Sequence, residues 1–298
     1  NVRVRVRVRG EVPQNVTALV GVTRGVVPVG NCKATAFAAS ELACTIMVIA
    51  PALWSPEQPA LYDLWVTLYD VSGIADAVSD RIGFRTIQVR GNQIYLNNQP
   101  VFLRGISRHD LYGTRDFVAS PQIIDQDLVR IKQLGVNFIR AIHYPPDERV
   151  VRRADELGLL LSEEIPAWAE FLEPAVIQQT QAMFRAMIER DFNRPSVICW
   201  LAGSKNTTDD QAYYLRMTSL ARRLDPHRLV SFVFDSPIYL PEDVRRYAQA
   251  ARSGGMDLYA QNGYGLAFDH LIRALPTDIP VLITEWSGSE GSNRGPIR

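Results

Sequence analysis

Valine and arginine alternate without a break at the start of the chain, with valine at 2, 4, 6 and 8 and arginine at 3, 5, 7 and 9. A period of two is that of a half-buried strand, here with a charged outer face. Further strand-like runs follow at 16–22, 44–50 and 64–70, separated by Gly, Pro, Asn and Asp. The stretch 54–62 holds too many prolines for a central strand and is expected to be a loop. Residues 1–88 therefore predict an all-β, immunoglobulin-like sandwich, with 83–89 as its last strand or the lead into the next domain.

Residues 94–103 predict a hairpin turning at Asn97-Asn98. Beyond it the pattern changes. Strand-like runs at 101–106, 136–142, 159–163, 197–202, 229–234, 256–261 and 281–284 alternate with helical ones. In 121–134 the apolar residues Ile124, Leu128, Ile131 and Leu134 share one helical face, and 149–157, 178–191 and 209–224 also read as helices. Asp225-Pro226 is a stop signal. Repeated β-α units indicate a (β/α)₈ TIM barrel over 89–298. Only seven strands can be counted, which predicts a barrel broken off after strand seven. An open edge is a liability unless covered, by missing domains or by a second copy in a homo-oligomer.

Composition narrows the function classes. The 298 residues are 47% hydrophobic, with 32 basic and 32 acidic side chains, enough for a large core and two domains. A formal net charge of zero argues against a nucleic-acid partner. No apolar run approaches bilayer-spanning length, so no membrane partner is expected. No secretory leader stands at the start, and because residue 1 is Asn the natural N-terminus is left open. Cys32, Cys44 and Cys199 form no metal spacing and cannot all pair. Cys199 reads as a buried small hydrophobe, and the compartment leans towards a reducing, cytoplasmic one.

The candidate chemistry sits where barrel enzymes keep it, at the carboxyl ends of parallel strands. His143 ends the second barrel run, Glu163 and Glu164 end the third, and Glu285 ends the last. Arg140 lies three residues before His143, near the same strand end, and is expected on the same side of the barrel mouth.

Four segments carry a resemblance: Leu103-Arg-Gly-Ile-Ser-Arg-His109-Asp, Asn137-Phe-Ile-Arg-Ala-Ile-His-Tyr-Pro145, Arg194-Pro-Ser-Val-Ile-Cys-Trp200 and Ile283-Thr-Glu285-Trp. Together they resemble the β-galactosidase/β-glucuronidase family of retaining glycoside hydrolases. Trp54-Ser-Pro, Leu61-Tyr62 and Gly83-Phe-Arg85 resemble the end of that family's immunoglobulin-like middle domain. The resemblance implies cleavage of a β-linked terminal galactoside, glucuronide or mannoside by two carboxyl groups about 5 Å apart. It implies Glu285 as nucleophile, and it places His109, Arg140, His143, Ser204, Tyr264, Trp168 and Trp286 around the sugar. No cofactor is implied. Glu163 and Glu164 lack metal-ligand spacing with His109, so no metal is expected.

One departure stands out. The family pattern after the tryptophan ends Gly-Asn-Glu, whereas this chain reads Gly203-Ser204-Lys205, so Lys205 takes the acid/base position. An ammonium with a pKa of about 10.4 is a poor proton donor at neutral pH and, while charged, no base. The expectation is a glycosidase-type site with impaired turnover. The alternative is a relative that only binds carbohydrate or serves as a structural module. Substitution of the missing acid by Glu163, Glu164, Asp209 or Asp210 is disfavoured by distance, and a Schiff-base role for Lys205 is a weaker third reading.

Overall fold

The computed structural model describes all residues except 11–14, 113–117, 168–172, 205–209, 236–239, 265–272 and 288–298. The chain divides into two compact units. The first comprises Asn1–Trp54 with Gln58–Phe84, and the second Ser55–Glu57 with Arg85–Arg298.

The first unit is built from β1 (Val2–Arg7), β2 (Asn15–Arg24), β3 (Val27–Phe37), β4 (Glu41–Ile46), β5 (Tyr62–Asp70) and β6 (Gly73–Ile82). They form two antiparallel sheets, β1–β4 and β3–β2–β5–β6. The opening alternation behaves as expected, with the valines of β1 half-buried and its arginines exposed. The core between the sheets takes Val16, Ala18, Val20 and Val22 from β2, Leu42 and Ile46 from β4, and Tyr62 and Val66 from β5. Each fully buried valine, leucine or isoleucine among them contributes about 1.5–3 kcal/mol. Strand β6 is exposed along most of its length and β3 turns mainly the small side chains of Cys32, Ala34 and Ala36 towards the core, so the hydrophobic pattern alone does not mark them. Cys32 and Cys44 form a disulfide joining β3 to β4, and hence one sheet to the other. This runs against the lean towards a reducing compartment, since such bonds persist in oxidising surroundings. Cys199 is free and buried, as expected.

The second unit opens with a meander of β7 (Ile87–Arg90), β8 (Gln93–Leu96) and β9 (Gln99–Pro100). Asn97 and Asn98 both have positive φ, 52° and 65°, the geometry of a tight primed turn that asparagine tolerates. Alternating strands and helices come next: β10 (Gly105–Arg108), α1 (Pro121–Gln133), β11 (Phe138–Ala141), α2 (Glu148–Leu157), β12 (Leu160–Glu164), α3 (Pro174–Asp191), β13 (Val197–Leu201), α4 (Gln211–Leu224), β14 (Leu229–Ser231), β15 (Val233–Phe234), α5 (Pro241–Ser253), β16 (Tyr259–Tyr264) and β17 (Val281–Ser287). Every pairing from β10 onward is parallel. The order is β10–β11–β12–β13–β14 and then β15–β16–β17. β14 and β15 are two halves of one run interrupted at Phe232, so the described residues hold seven barrel strands. Ser107 Oγ on β10 donates to the Thr284 carbonyl on β17 at 2.7 Å, so the first and last of these strands meet through a side chain rather than a ladder. Among the described residues no helix is long and apolar enough to cross a membrane.

The helices start and stop for local reasons. Ser120 caps α1, and Ile124, Leu128 and Ile131 are its buried stripe. Asp147 caps α2, which ends at Gly158 with φ 69°. Only glycine fits there, because a Cβ would stand 2.5 Å from the Pro56 carbonyl oxygen.

Neighbouring carboxylates on β12 go opposite ways, as the pleat requires. Glu163 faces outward beneath α3 and is completely buried. Neither of its oxygens, nor Asp191 Oδ1, has a hydrogen-bond partner, and the Arg190 guanidinium is 3.8 Å off. Burial first, and then the charge of Asp191, holds the Glu163 carboxyl well above the usual carboxylate range. The folded chain thus keeps a proton that the unfolded chain gives up above its ordinary value near 4.5. Stability from this group is therefore present at low pH and lost as pH climbs from there through the raised value. Urea midpoints should fall across that window, and Glu163→Gln, which mimics the neutral acid, should flatten the fall and be the more stable form at pH 8. An equally steep fall in the variant would assign the pH dependence elsewhere.

Candidate active site

Four strands deliver side chains to one hollow. In β11 the alternation turns Arg140 inward, and the parallel register sets it opposite Ser162 of β12. Two residues on, Glu164 faces the same way as Ser162. Ser204 lies just past the end of β13, with its backbone N–H donating to the Ala167 carbonyl. Glu285 lies within β17, which runs three residues past the expected end at 284, and pairs with Asn262 after a register shift in β16.

Arg140 is the hub. Its Nη1 donates to Glu285 Oε1 at 2.7 Å, its Nε and Nη2 donate to Glu164 Oε2 at 3.1 and 2.6 Å, and Nη2 also reaches Ser204 Oγ at 2.9 Å. One guanidinium thus serves two carboxylates and a hydroxyl, using the fixed fork that makes arginine suited to the task. His143 lies across them, with Nδ1 2.7 Å from Glu164 Oε1 and Nε2 3.8 Å from Glu285 Oε1. Arg140, Glu164 and Ser204 are essentially sealed from solvent, while 15% of the Glu285 side chain remains exposed. Of the two carboxylates, Glu285 is the one a ligand can reach.

His109 is exposed beside this cluster. Its ring centroid is 5.4 Å from that of His143 and 5.9 Å from that of Tyr144. Desolvation, then the neighbouring His143, lowers the His109 pKa below its ordinary value, against a smaller pull from Glu285 and Glu164. Its chain neighbours are firmly held. Arg108 is buried and bonds Asp110, Asp127 and Tyr112, and Asp110 accepts from the Asp147 backbone N–H at 2.8 Å.

The structure therefore brings together Arg140, His143, Ser204 and Glu285, with His109 alongside. Trp286 is half-exposed, and alternation along β17 turns it to the face opposite Glu285. Tyr264 closes β16, and nothing of its side chain is described. Lys205 and Trp168 lie outside the described residues, as does Asp209. Among the described residues no group of three or more His, Cys, Asp or Glu is arranged to hold a metal ion. Glu164 belongs to the centre, although the sequence alone suggests it only as a stand-in acid or metal ligand. A signal for it exists: it lies in step with Arg140 once two parallel strands are aligned.

Carboxylates gathered on an arginine at the carboxyl ends of parallel strands stand where barrel enzymes keep their active sites. Comparison with known proteins agrees. The model of the glycosyl hydrolases family 2 TIM barrel domain matches residues 87–262, and a second glycosyl hydrolases family 2 model matches residues 1–85. The chain belongs to glycosyl hydrolases family 2. It is 29% identical over 240 residues to a β-galactosidase of Thermoanaerobacterium thermosulfurigenes, covering 79% of this chain and 32% of that protein. It is 33% identical over 191 residues to a putative β-glucuronidase of Formosa agariphila, covering 60% and 23%. The chain thus spans a third or less of these relatives. Among solved structures, a β-galacturonidase from Eisenbergiella tayi bound to galacturonate superposes with a TM-score of 0.81 at 26% identity, over 95% of this chain and 53% of that one. A Bacteroides uniformis β-glucuronidase superposes at 0.79 and 22% identity, over 95% and 37%.

Proposed function

We propose that this chain carries the nucleophile half of a retaining β-glycosidase site, with Glu285 as the attacking group and a β-linked terminal galactoside, glucuronide or mannoside as ligand. The observation that carries this is Glu285 itself: held at 2.7 Å by Arg140 and still open to solvent at the strand ends. In the first step a Glu285 oxygen bonds to the anomeric carbon as the bond to the leaving oxygen breaks, and that oxygen departs with the electron pair. A poor leaving group needs a proton at that moment, and Lys205 at the acid/base position is a weak source of one. The second step, attack of water on the glycosyl-enzyme, needs a base that an ammonium does not provide. His109 and His143 flank the approach and are assigned to the sugar. Tyr264 and Trp168 keep the roles that the resemblance implies.

An activated aryl glycoside leaves as a stable aryloxide and needs little acid help. It should give a burst of one equivalent of phenol per chain, followed by slow turnover. A fluorinated glycoside should label Glu285, read by peptide mass. Absence of both burst and label on Glu285 would remove the reading. A second reading, a relative that binds carbohydrate without turning it over, is favoured by Lys205 alone. It predicts saccharide binding by calorimetry with no burst.

A further inference from the structure

We infer that Glu164 is a positioning residue that sets which ring nitrogen of His143 faces the hollow as a hydrogen-bond acceptor. Its two oxygens are divided. Oε2 takes both Arg140 donors, at 3.1 and 2.6 Å, and Oε1 lies 2.7 Å from His143 Nδ1. The residue is wholly buried, so no water competes for either oxygen. A carboxylate can only accept, so the hydrogen between Glu164 and His143 belongs to Nδ1. In the neutral imidazole this leaves a lone pair on Nε2, the atom 3.8 Å from Glu285 Oε1. A ligand hydrogen-bond donor seated in front of both atoms would serve both acceptors. The ligand group matched to this position is a hydroxyl or an amine, not an ether or a carbonyl. The donor-reading part of the inference rests on the glycosidase reading; the tautomer part rests only on the geometry.

The same wiring predicts what a nearly isosteric change would do. In Glu164→Gln the amide oxygen takes the place facing the two Arg140 donors, because an amide N–H₂ there would meet a cation. The N–H₂ is then left facing His143 Nδ1 and donates to it. Nδ1 must become the acceptor, and the ring hydrogen moves to Nε2, where it points at Glu285. Glu164→Asp keeps a carboxylate and should keep the native tautomer. A histidine held in the wrong tautomer while its geometry survives is a known way to lose most of a site's activity.

The test has two arms on the full chain. In ¹⁵N-labelled protein at a pH where His143 is neutral, the imidazole shifts report the tautomer. The native chain and Glu164→Asp should show hydrogen on Nδ1, and Glu164→Gln hydrogen on Nε2. In the second arm, labelling of Glu285 by a fluorinated glycoside should slow by about 10- to 100-fold in Glu164→Gln, with partial rescue in Glu164→Asp. A native Nε2–H tautomer, or no change in Glu164→Gln, overturns the inference, as does a tautomer switch that leaves labelling unchanged. If the native chain is not labelled at all, the glycosidase reading and the donor-reading part fall together, and the nitrogen shifts still decide the tautomer part.

Discussion

Arg140→Ala is expected to destabilise the barrel unit by about 3–5 kcal/mol, the range for breaking a buried ion pair by removing one partner. The reason lies in what stays behind. Glu164 is wholly buried and would lose both of the donors on Oε2, keeping only His143. Ser204 and Glu285 would each lose a charge-assisted partner as well. Glu285 can recover part of that loss from water, because some of its side chain is exposed, and Glu164 cannot. The cost should therefore trace mainly to Glu164. The double variant Arg140→Ala, Glu164→Gln should recover a substantial part of the lost stability, because a neutral amide is cheaper to leave buried than a carboxylate. Urea unfolding of the four members of this cycle measures the coupling. A single-variant loss below about 1 kcal/mol, or a double variant no better than Arg140→Ala, would mean that water or a shifted side chain compensates Glu164, and that Arg140 is not the hub its contacts indicate.

The features legible in the sequence share a physical cause: a repeating pattern tied to burial. The valines of β1, the Ile124–Leu128–Ile131 stripe of α1 and the apolar runs of β11, β12 and β13 all announce themselves because one face or both must leave water. The Asn97-Asn98 turn is readable because asparagine accepts positive φ. Strands β3 and β6 are not, since β6 is exposed along most of its length and β3 turns mainly small side chains towards the core. The Cys32–Cys44 bond is not, because pairing depends on two sheets approaching and their spacing in sequence says nothing of that. The cis peptide between Ile142 and His143 has no sequence signal at all, since neither residue is proline. At the site, Glu285, Arg140 and His143 can be placed because each sits at or near the end of a strand whose direction the pattern fixes. The role of Glu164 needs register as well, because only alignment of β11 with β12 shows that it, and not Glu163, shares the hollow with Arg140.

Lys205→Glu is expected to raise hydrolysis of unactivated glycosides by about 10²–10⁴, the usual contribution of a positioned acid and base. The ground for this is what holds the preceding residue. Ser204 is buried, its Oγ accepts from Arg140, and Arg140 in turn holds Glu285. Position 205 thus adjoins a residue tied to the same guanidinium as Glu285, the proposed nucleophile, whatever side chain it bears. A carboxyl there could donate its proton to the leaving oxygen and then, as a carboxylate, take one from water, the two duties that an ammonium performs poorly. The gain should be unequal across substrates. With an activated aryl glycoside the burst should keep its rate, since aryloxide departs unaided, while the slow phase after it accelerates because water attack now has a base. With an alkyl glycoside both steps should improve, and a bell-shaped pH profile should emerge, whereas the native chain is expected to give none. Were the slow phase and the alkyl glycoside rate both to stay at the native background in a variant that still labels at Glu285, the defect would lie beyond the acid/base position. The Ser204 replacement of the family asparagine would then be the next residue to restore.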